Sequence, residues 1–486
     1  MSLALPRRLR RHAIACAVCA SLSACAVGPR YERPAAPLSE AFKENAGWVQ
    51  AAPADALDRG PWWRLFDDPV LDALQQRVAV SNQNVAVAAA AYEQARALVR
   101  EQRASLFPSV SLSGGGTRSG GGSGSAGTIV GSGSSATVVG GDRGASNRYQ
   151  VNVGASWEPD VWGRLRRGVE SASTSAQASA ADLASATLAA QGELAIDYFG
   201  VRQTDAQRTL LDQTIAGYER SLQITQNRYA AGVVARTDVL QAQTQLLSAQ
   251  ADRVGLERQR AQFEHAIAVL VGEPPASFSL APAPWKFSVP AVPVGVPSTL
   301  LQRRPDIAGA ERRVAAANEQ IGIAQSAYFP NLGLSASYGF GASRVADLFS
   351  ASAALWSVGV QVAQTLFDAG ATRERVAGAR AAQQEAVARY RQTVLTAFQG
   401  VEDQLAATRV LEQQYELRRQ ASEAADQVEA QVINRYRSGQ VVYSDVVTAQ
   451  ATALNARRAL VQATADRQTT AVALIQALGG GWQATP

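Results

Sequence analysis

Few side chains in this chain of 486 residues could do chemistry. Glu158, Asp160, Glu193 and Asp197 are carboxylates of the kind used as general acids and bases. Helical faces carry such charges routinely, and that is the reading taken for all four. His265, one of two histidines, lies on a helical stretch as a surface or packing residue. The three cysteines are Cys16, Cys19 and Cys25. A Cys/His metal site or a Ser/His/Asp centre needs side chains that this chain barely owns. No catalytic residue, metal site or cofactor is expected, and the protein is read as not an enzyme.

The N-terminus explains two of those cysteines. Arg7, Arg8, Arg10 and Arg11 precede a short apolar run, residues 13–22, closed by Leu22-Ser23-Ala24-Cys25. This is a secretory signal, too short and wrongly flanked to span a membrane. Its last four residues resemble a bacterial lipobox, in which cleavage before Cys25 is followed by lipidation of the thiol; the plain alternative is an ordinary signal with an incidental cysteine. Ala26 follows, so the aspartate that usually signals inner-membrane retention is missing. Removing residues 1–24 takes away four arginines and no acid, so the formal charge of +5 falls to +1. The basicity belongs to the leader, and no nucleic-acid footprint remains. Cys16 and Cys19 leave too, and the mature chain cannot form an internal disulfide.

The elements that position these residues come in two copies. Asn227-Arg228-Tyr229 with Gly232, Asp238-Val239, Ala242-Gln243 and Leu247 recurs as Asn434-Arg435-Tyr436 with Gly439, Asp445-Val446, Ala449-Gln450 and Leu454, each displaced by 207 positions. Each copy reads as a helix, a tight turn at glycine and a returning helix, so the fold is a duplication.

Taken in order, residues 25–68 form a Pro/Ala-rich tether and equatorial segment. Residues 69–104 have helical spacing (Leu71, Leu74, Val78, Val85). Residues 105–163 switch to a period of two and form a first β-hairpin around a Gly/Ser stretch, 114–147, to which no fixed structure is assigned. Residues 164–271 hold a long helix, the turn and a returning helix. An uninterrupted helix to about Tyr229 would measure roughly 100 Å, with Leu211, Ile215, Tyr218, Leu222 and Thr225 at coiled-coil steps. The returning helix is about half as long, so the helix of 69–104 supplies the rest of the cover, stacked end to end with it. A proline-rich linker, 272–302, follows, and the plan repeats: a helix at 303–327, a hairpin at 328–369, a long helix, turn and return at 370–478, and a tail at 479–486.

The strands alternate apolar and small polar residues, with aromatic residues near their ends (Phe107, Trp157, Phe329, Tyr338, Trp356). A soluble sheet packed on helices shows the same alternation. The lipobox and the long helices favour a transmembrane β-barrel. Four strands cannot close one, since about eight is the practical minimum, so the chain must oligomerise.

Together these residues resemble the TolC-type outer-membrane efflux channels, in their lipidated branch serving resistance-nodulation-division pumps. The resemblance rests on Leu301-Gln302-Arg303-Arg304-Pro305-Asp306-Ile307, Ala310-Glu311, Ile321-Gly322, Phe329-Pro330, Phe367-Asp368-Ala369-Gly370 and both Arg-Tyr-x-x-Gly turns. It implies an α+β fold: a homotrimer whose twelve-stranded outer-membrane β-barrel, four strands per protomer, continues into a coiled-coil α-helical periplasmic barrel. It also implies three partners: a periplasmic adaptor (membrane fusion) protein, an inner-membrane resistance-nodulation-division transporter and outer-membrane lipid.

The resemblance implies site residues as well. Asp238 and Tyr436 match a hydrogen-bonding pair that holds the periplasmic end shut, and Asp445 matches an acidic ring in the constriction. Gly232, Val233, Gly439 and Gln440 stand at the tips that meet the adaptor. Two positions depart from the pattern: Thr448 replaces a second acid, and Val441 replaces an arginine. The lock is then looser, or made by apolar contact through Val441, Val442 and Tyr443. A simpler expectation stands beside this one. Thr237-Asp238 and Ser444-Asp445 suit helix N-capping, and the two glycines suit left-handed helix ends. The alternative functions are a type I protein secretion duct and a surface-anchored, adhesin-like trimer without a pore.

Overall fold

Both proline-free runs form single helices of 67 residues, α3 at Arg164–Ala230 and α6 at Ala371–Arg437. Each is followed by a returning helix of 35 residues, α4 at Arg236–Leu270 and α7 at Tyr443–Ala477. This is a computed structural model; it describes residues 27–36, 42–44, 61–120, 128–130, 137–139, 145–290 and 304–480. Before α3 come α1 (Pro69–Ser81), α2 (Gln83–Ala104), β1 (Ser109–Ser119), β2 (Thr128–Val130), β3 (Thr137–Val139) and β4 (Ser146–Trp157). Between α4 and α6 come α5 (Pro305–Ser326), β5 (Asn331–Ala342) and β6 (Ala354–Ala363). The chain divides into two compact units, one of Met1–Glu32, Ala95–Ser175 and Val314–Glu385, the other of Arg33–Gln94, Ala176–Arg313 and Ala386–Pro486.

The first unit holds a four-stranded antiparallel sheet in the order β1-β4-β5-β6. Its register sorts the side chains, because residues directly opposite share a face. Leu112 stands opposite Val153, Val153 opposite Tyr338, and Tyr338 opposite Trp356. That face is apolar yet open: Trp356 is 76% and Val358 75% exposed. The other face pairs serines, with Oγ–Oγ distances of 2.8 Å for Ser109 and Ser156 and 2.9 Å for Ser337 and Ser357. An apolar surface left in solvent beside a polar one is the reverse of a sheet packed on its own helices. The Gly/Ser stretch has regular structure after all: Gly114 to Ser119 continue β1 against β4, which starts at Ser146, and Thr128-Ile129-Val130 pairs with Thr137-Val138-Val139 as β2 and β3, where β-branched residues fall.

The tether is fastened to this unit two residues beyond Cys25, which itself lies outside the described residues. Val27 N–H donates to Trp162 O at 3.1 Å. Arg167 pairs with Glu319 at 2.6 Å and also donates to Pro29 O at 3.2 Å. Gly28 has φ +117°, and a Cβ there would lie 2.5 Å from Gly322 Cα. Only glycine fits such a backbone crossing.

The second unit is cored by one cluster. Phe42, Trp62, Trp63 and Phe66 of the tether, Leu71, Leu74 and Val78 of α1, and Tyr198 and Phe199 of α3 pack with Ile267 of α4, Val401 and Leu405 of α6, and Val472 of α7. The single helix expected over 69–104 is two. Asn82 interrupts it with an extended backbone (φ −69°, ψ 124°), its Oδ1 accepts Asn84 and Val85 N–H, and its Nδ2 donates to Leu270 O at 2.8 Å. Asn82 caps the new helix and binds the last residue of α4.

Candidate functional site at the hairpin tips

Both turns are Schellman motifs. Gly232 N–H donates to Tyr229 O at 2.9 Å and Val233 N–H to Arg228 O at 2.8 Å; Gly439 and Gln440 repeat this on Tyr436 and Arg435 at 3.0 and 2.9 Å. Gly232 and Gly439 have φ +74° and +78°, the left-handed conformation that such a C′ residue needs. Gly232, Val233, Gly439 and Gln440 are all exposed. The capping expectation is corrected. The N-caps are Ala235 and Val442, without side-chain cap bonds, because the tight turn places the helix starts before Thr237 and Ser444. Asp238 and Asp445 lie in the first helical turn, where their charge meets the positive helix end.

Sequence equivalence does not carry over to the surroundings. Tyr436 is 4% exposed, whereas its counterpart Tyr229 is 47% exposed. The Tyr436 ring meets the Tyr443 ring edge-on at 5.4 Å between centroids, and its hydroxyl faces Thr225 Oγ1 at 3.5 Å. The positions 207 away from Tyr443 and Thr225 are Arg236 and Val432, so Tyr229 has neither the aromatic nor the hydroxyl partner. Burial pushes the Tyr443 hydroxyl up to about 12. Val441 packs against this cluster, and Val442 is exposed.

The structure does not join Asp238 to Tyr436. The Asp238 carboxylate makes no hydrogen bond among the described residues, and Asp445 is exposed. Besides Thr225, Arg228 reaches Tyr436 from the other hairpin; motif reading passed over it because Arg435 repeats it. Of the other carboxylates, Glu158 pairs with Arg164 at 2.8 Å. Asp160 accepts the N–H groups of Leu165 and Arg166 at the start of α3. Glu193 and His265 are exposed. No group of three or more His, Cys, Asp or Glu residues that could hold a metal ion occurs among the described residues.

A sheet with a bare apolar face and a polar serine face, continued by long polar helices that turn at glycine, defines an outer-membrane channel with a periplasmic extension. Residues 74–273 and 296–480 match the family described as outer membrane efflux protein. The chain belongs to that family: it is an outer-membrane efflux channel reaching into the periplasm, and not an enzyme. It is 32% identical over 465 residues to the probable efflux pump outer membrane protein TtgC of Pseudomonas putida, covering 95% of this chain and 93% of that one. It is also 32% identical over 470 residues to the pyoverdine export outer membrane protein OpmQ of Pseudomonas aeruginosa, with 96% of each covered. Among solved structures, the outer-membrane channel OprN superposes with a TM-score of 0.84 at 31% identity, covering 94% of this chain and all of that one. The open state of the Neisseria gonorrhoeae MtrE channel gives 0.82 at 28% identity, covering 94% and 99%. The four strands and the long, duplicated helices are the fold that these structures share.

Proposed function

We propose that the chain works as a lipid-anchored homotrimer, the outer-membrane duct of a tripartite pump completed by a periplasmic adaptor and an inner-membrane resistance-nodulation-division transporter. The observation that carries this reading is the sheet. Among the described residues β1 pairs only with β4 and β6 only with β5, which leaves two free edges flanking an exposed apolar face. Free edges of that kind are satisfied by closure with further copies. The helices support the same reading. Leu240, Leu247 and Val254 lie exposed on α4 at seven-residue steps, and Val410, Leu417 and Val428 lie exposed on α6, as seams awaiting neighbours do.

The cargo is a small molecule. TtgC-type relatives are named for antibiotic and toluene efflux, and OpmQ for pyoverdine export. Lipidation at Cys25 supplies the anchor. Gly232, Val233, Gly439 and Gln440 meet the adaptor. Asp238, Tyr436 and Asp445 form the periplasmic gate, and Asp445 rings the constriction.

Single-channel recording in planar bilayers tests the pore. Discrete conductance steps are expected, and Asp445→Ala should raise the conductance and weaken cation selectivity. Unchanged values would leave Asp445 a helix-end charge only, and an absence of steps would turn the reading to a surface-anchored, adhesin-like trimer. Mass spectrometry of the N-terminal peptide should find diacylglycerol on Cys25.

A further inference from the structure

Arg228 stands in the last turn of α3, and it spends its charge on the other hairpin. Its Nη1 donates to Tyr436 O at 2.6 Å, and its guanidinium carbon lies 4.5 Å from the Tyr436 ring centroid. That carbonyl is also the acceptor of Gly439 N–H in the Schellman turn, so the cation sits on the C-terminal end of α6, where the helix dipole is negative. Ring and carbonyl are held by one planar group, which an arginine provides and a lysine does not. No carboxylate pairs with Arg228 among the described residues.

The contact exists once per chain. Arg435, the sequence equivalent, is exposed, and Tyr229, which it would have to grip, is half exposed. The cause is local. Thr225 and Tyr443 shape a pocket for Tyr436, and Val432 and Arg236 at the equivalent places shape none for Tyr229.

We propose that Arg228 is the latch of the gate: it clasps the α6–α7 tip to the end of α3, in place of the Asp238–Tyr436 hydrogen bond that the chain does not make. This rests on reading the tips as the gate. Any swing of the α6–α7 hairpin away from α3 breaks the carbonyl bond and the ring contact together. The latch thereby belongs to a residue outside the motif's acidic and tyrosine positions, and it explains how a tip with Val441 and Thr448 is held.

The test is single-channel conductance of full-length lipidated protein, with circular dichroism and native size confirming folded trimers. Arg228→Ala should raise the resting conductance at least threefold, Arg228→Lys should give a smaller rise, and Arg435→Ala should match the unaltered channel. An unchanged Arg228→Ala channel, or an equal rise in Arg435→Ala, overturns the latch. Asp445→Cys treated with a cationic methanethiosulfonate separates this failure from that of the gate. Block of current with an unchanged Arg228→Ala channel removes the latch and keeps the gate, and absence of block removes both. Should Arg228→Ala not assemble, Arg228→Lys carries the same comparison, and a conductance equal to that of the unaltered channel overturns the proposal.

Discussion

The Glu402 carboxylate of α6 holds the backbone of Lys43, 359 positions earlier, through an N–H to Oε1 bond of 2.7 Å. Its second oxygen takes Glu44 N–H at 3.0 Å. Phe42 is buried beside Phe398, with ring centroids 6.4 Å apart, and Arg409 pairs with the Glu44 side chain at 2.6 Å. A carboxylate accepting two consecutive amides fixes the segment 42–44 on α6 much as a cap fixes the start of a helix. Glu402→Gln should loosen it at a cost of about 1 kcal/mol, since the bonds lie near solvent. Hydrogen exchange at the Lys43 and Glu44 amides should accelerate about fivefold while the amides of α6 stay protected.

Asn82 binds two chain segments with one side chain, the start of α2 and the end of α4. Asn82→Ala removes the cap on α2 and the bond to Leu270 O, and should cost about 1–2 kcal/mol. Faster exchange at Val85 N–H, with α1 unaffected, is the local signature. A melting temperature equal to that of the unaltered protein would show that the break does not depend on the asparagine.

Asp205 lies between two guanidinium groups, Arg202 at 3.3 Å and Arg260 at 2.8 Å, all largely buried. The same arginines hold the linker, Arg202 through Ala281 O at 3.0 Å and Arg260 through Leu280 O. Asp205→Asn leaves the buried Arg202 without its carboxylate, while Arg260 keeps Glu264 at 2.9 Å, and should cost about 3 kcal/mol. Limited proteolysis should then cut within residues 278–290 in the variant while sparing the unaltered protein.

Asp197 is buried, and its Oδ2 has no hydrogen-bond partner among the described residues. Burial, with the Glu193 charge second, pushes its carboxyl up to about 7. Between about pH 4 and pH 7 the folded chain therefore keeps a proton that the unfolded chain has lost. The sign follows: stability falls as pH rises through that window and levels off above it. The contribution lost is of the order of 2–4 kcal/mol. Thermal unfolding at pH 5 and pH 8 should show a larger drop for the unaltered protein than for Asp197→Asn, and identical drops would refute the assignment.

Periodicity carried most of the fold. Strand alternation predicted which residues share a face, and the register sets Leu112, Val153, Tyr338 and Trp356 in one row. Glycine placement marked both turns, because the left-handed conformation is a local demand. What escaped was decided by distant partners. Asparagine favours a helix start, yet Asn227 and Asn318 stand inside helices; what Asn82 has besides is Leu270 O, 188 residues away. Arg228 and Arg435 are indistinguishable as motif residues, and what tells them apart is the pocket that Thr225 and Tyr443 shape around Tyr436.

The long helices α3 and α6 have 67 residues each, and α4 and α7 have 35 each. A one-residue deletion in any of them would turn everything beyond it by about 100° and draw its tip back by about 1.5 Å. A change of length in one half is therefore tolerated only when the other half makes the same change, 207 positions away. The two halves are free to diverge in the identity of their residues, as Thr225 and Val432 have, but they inherit their lengths jointly.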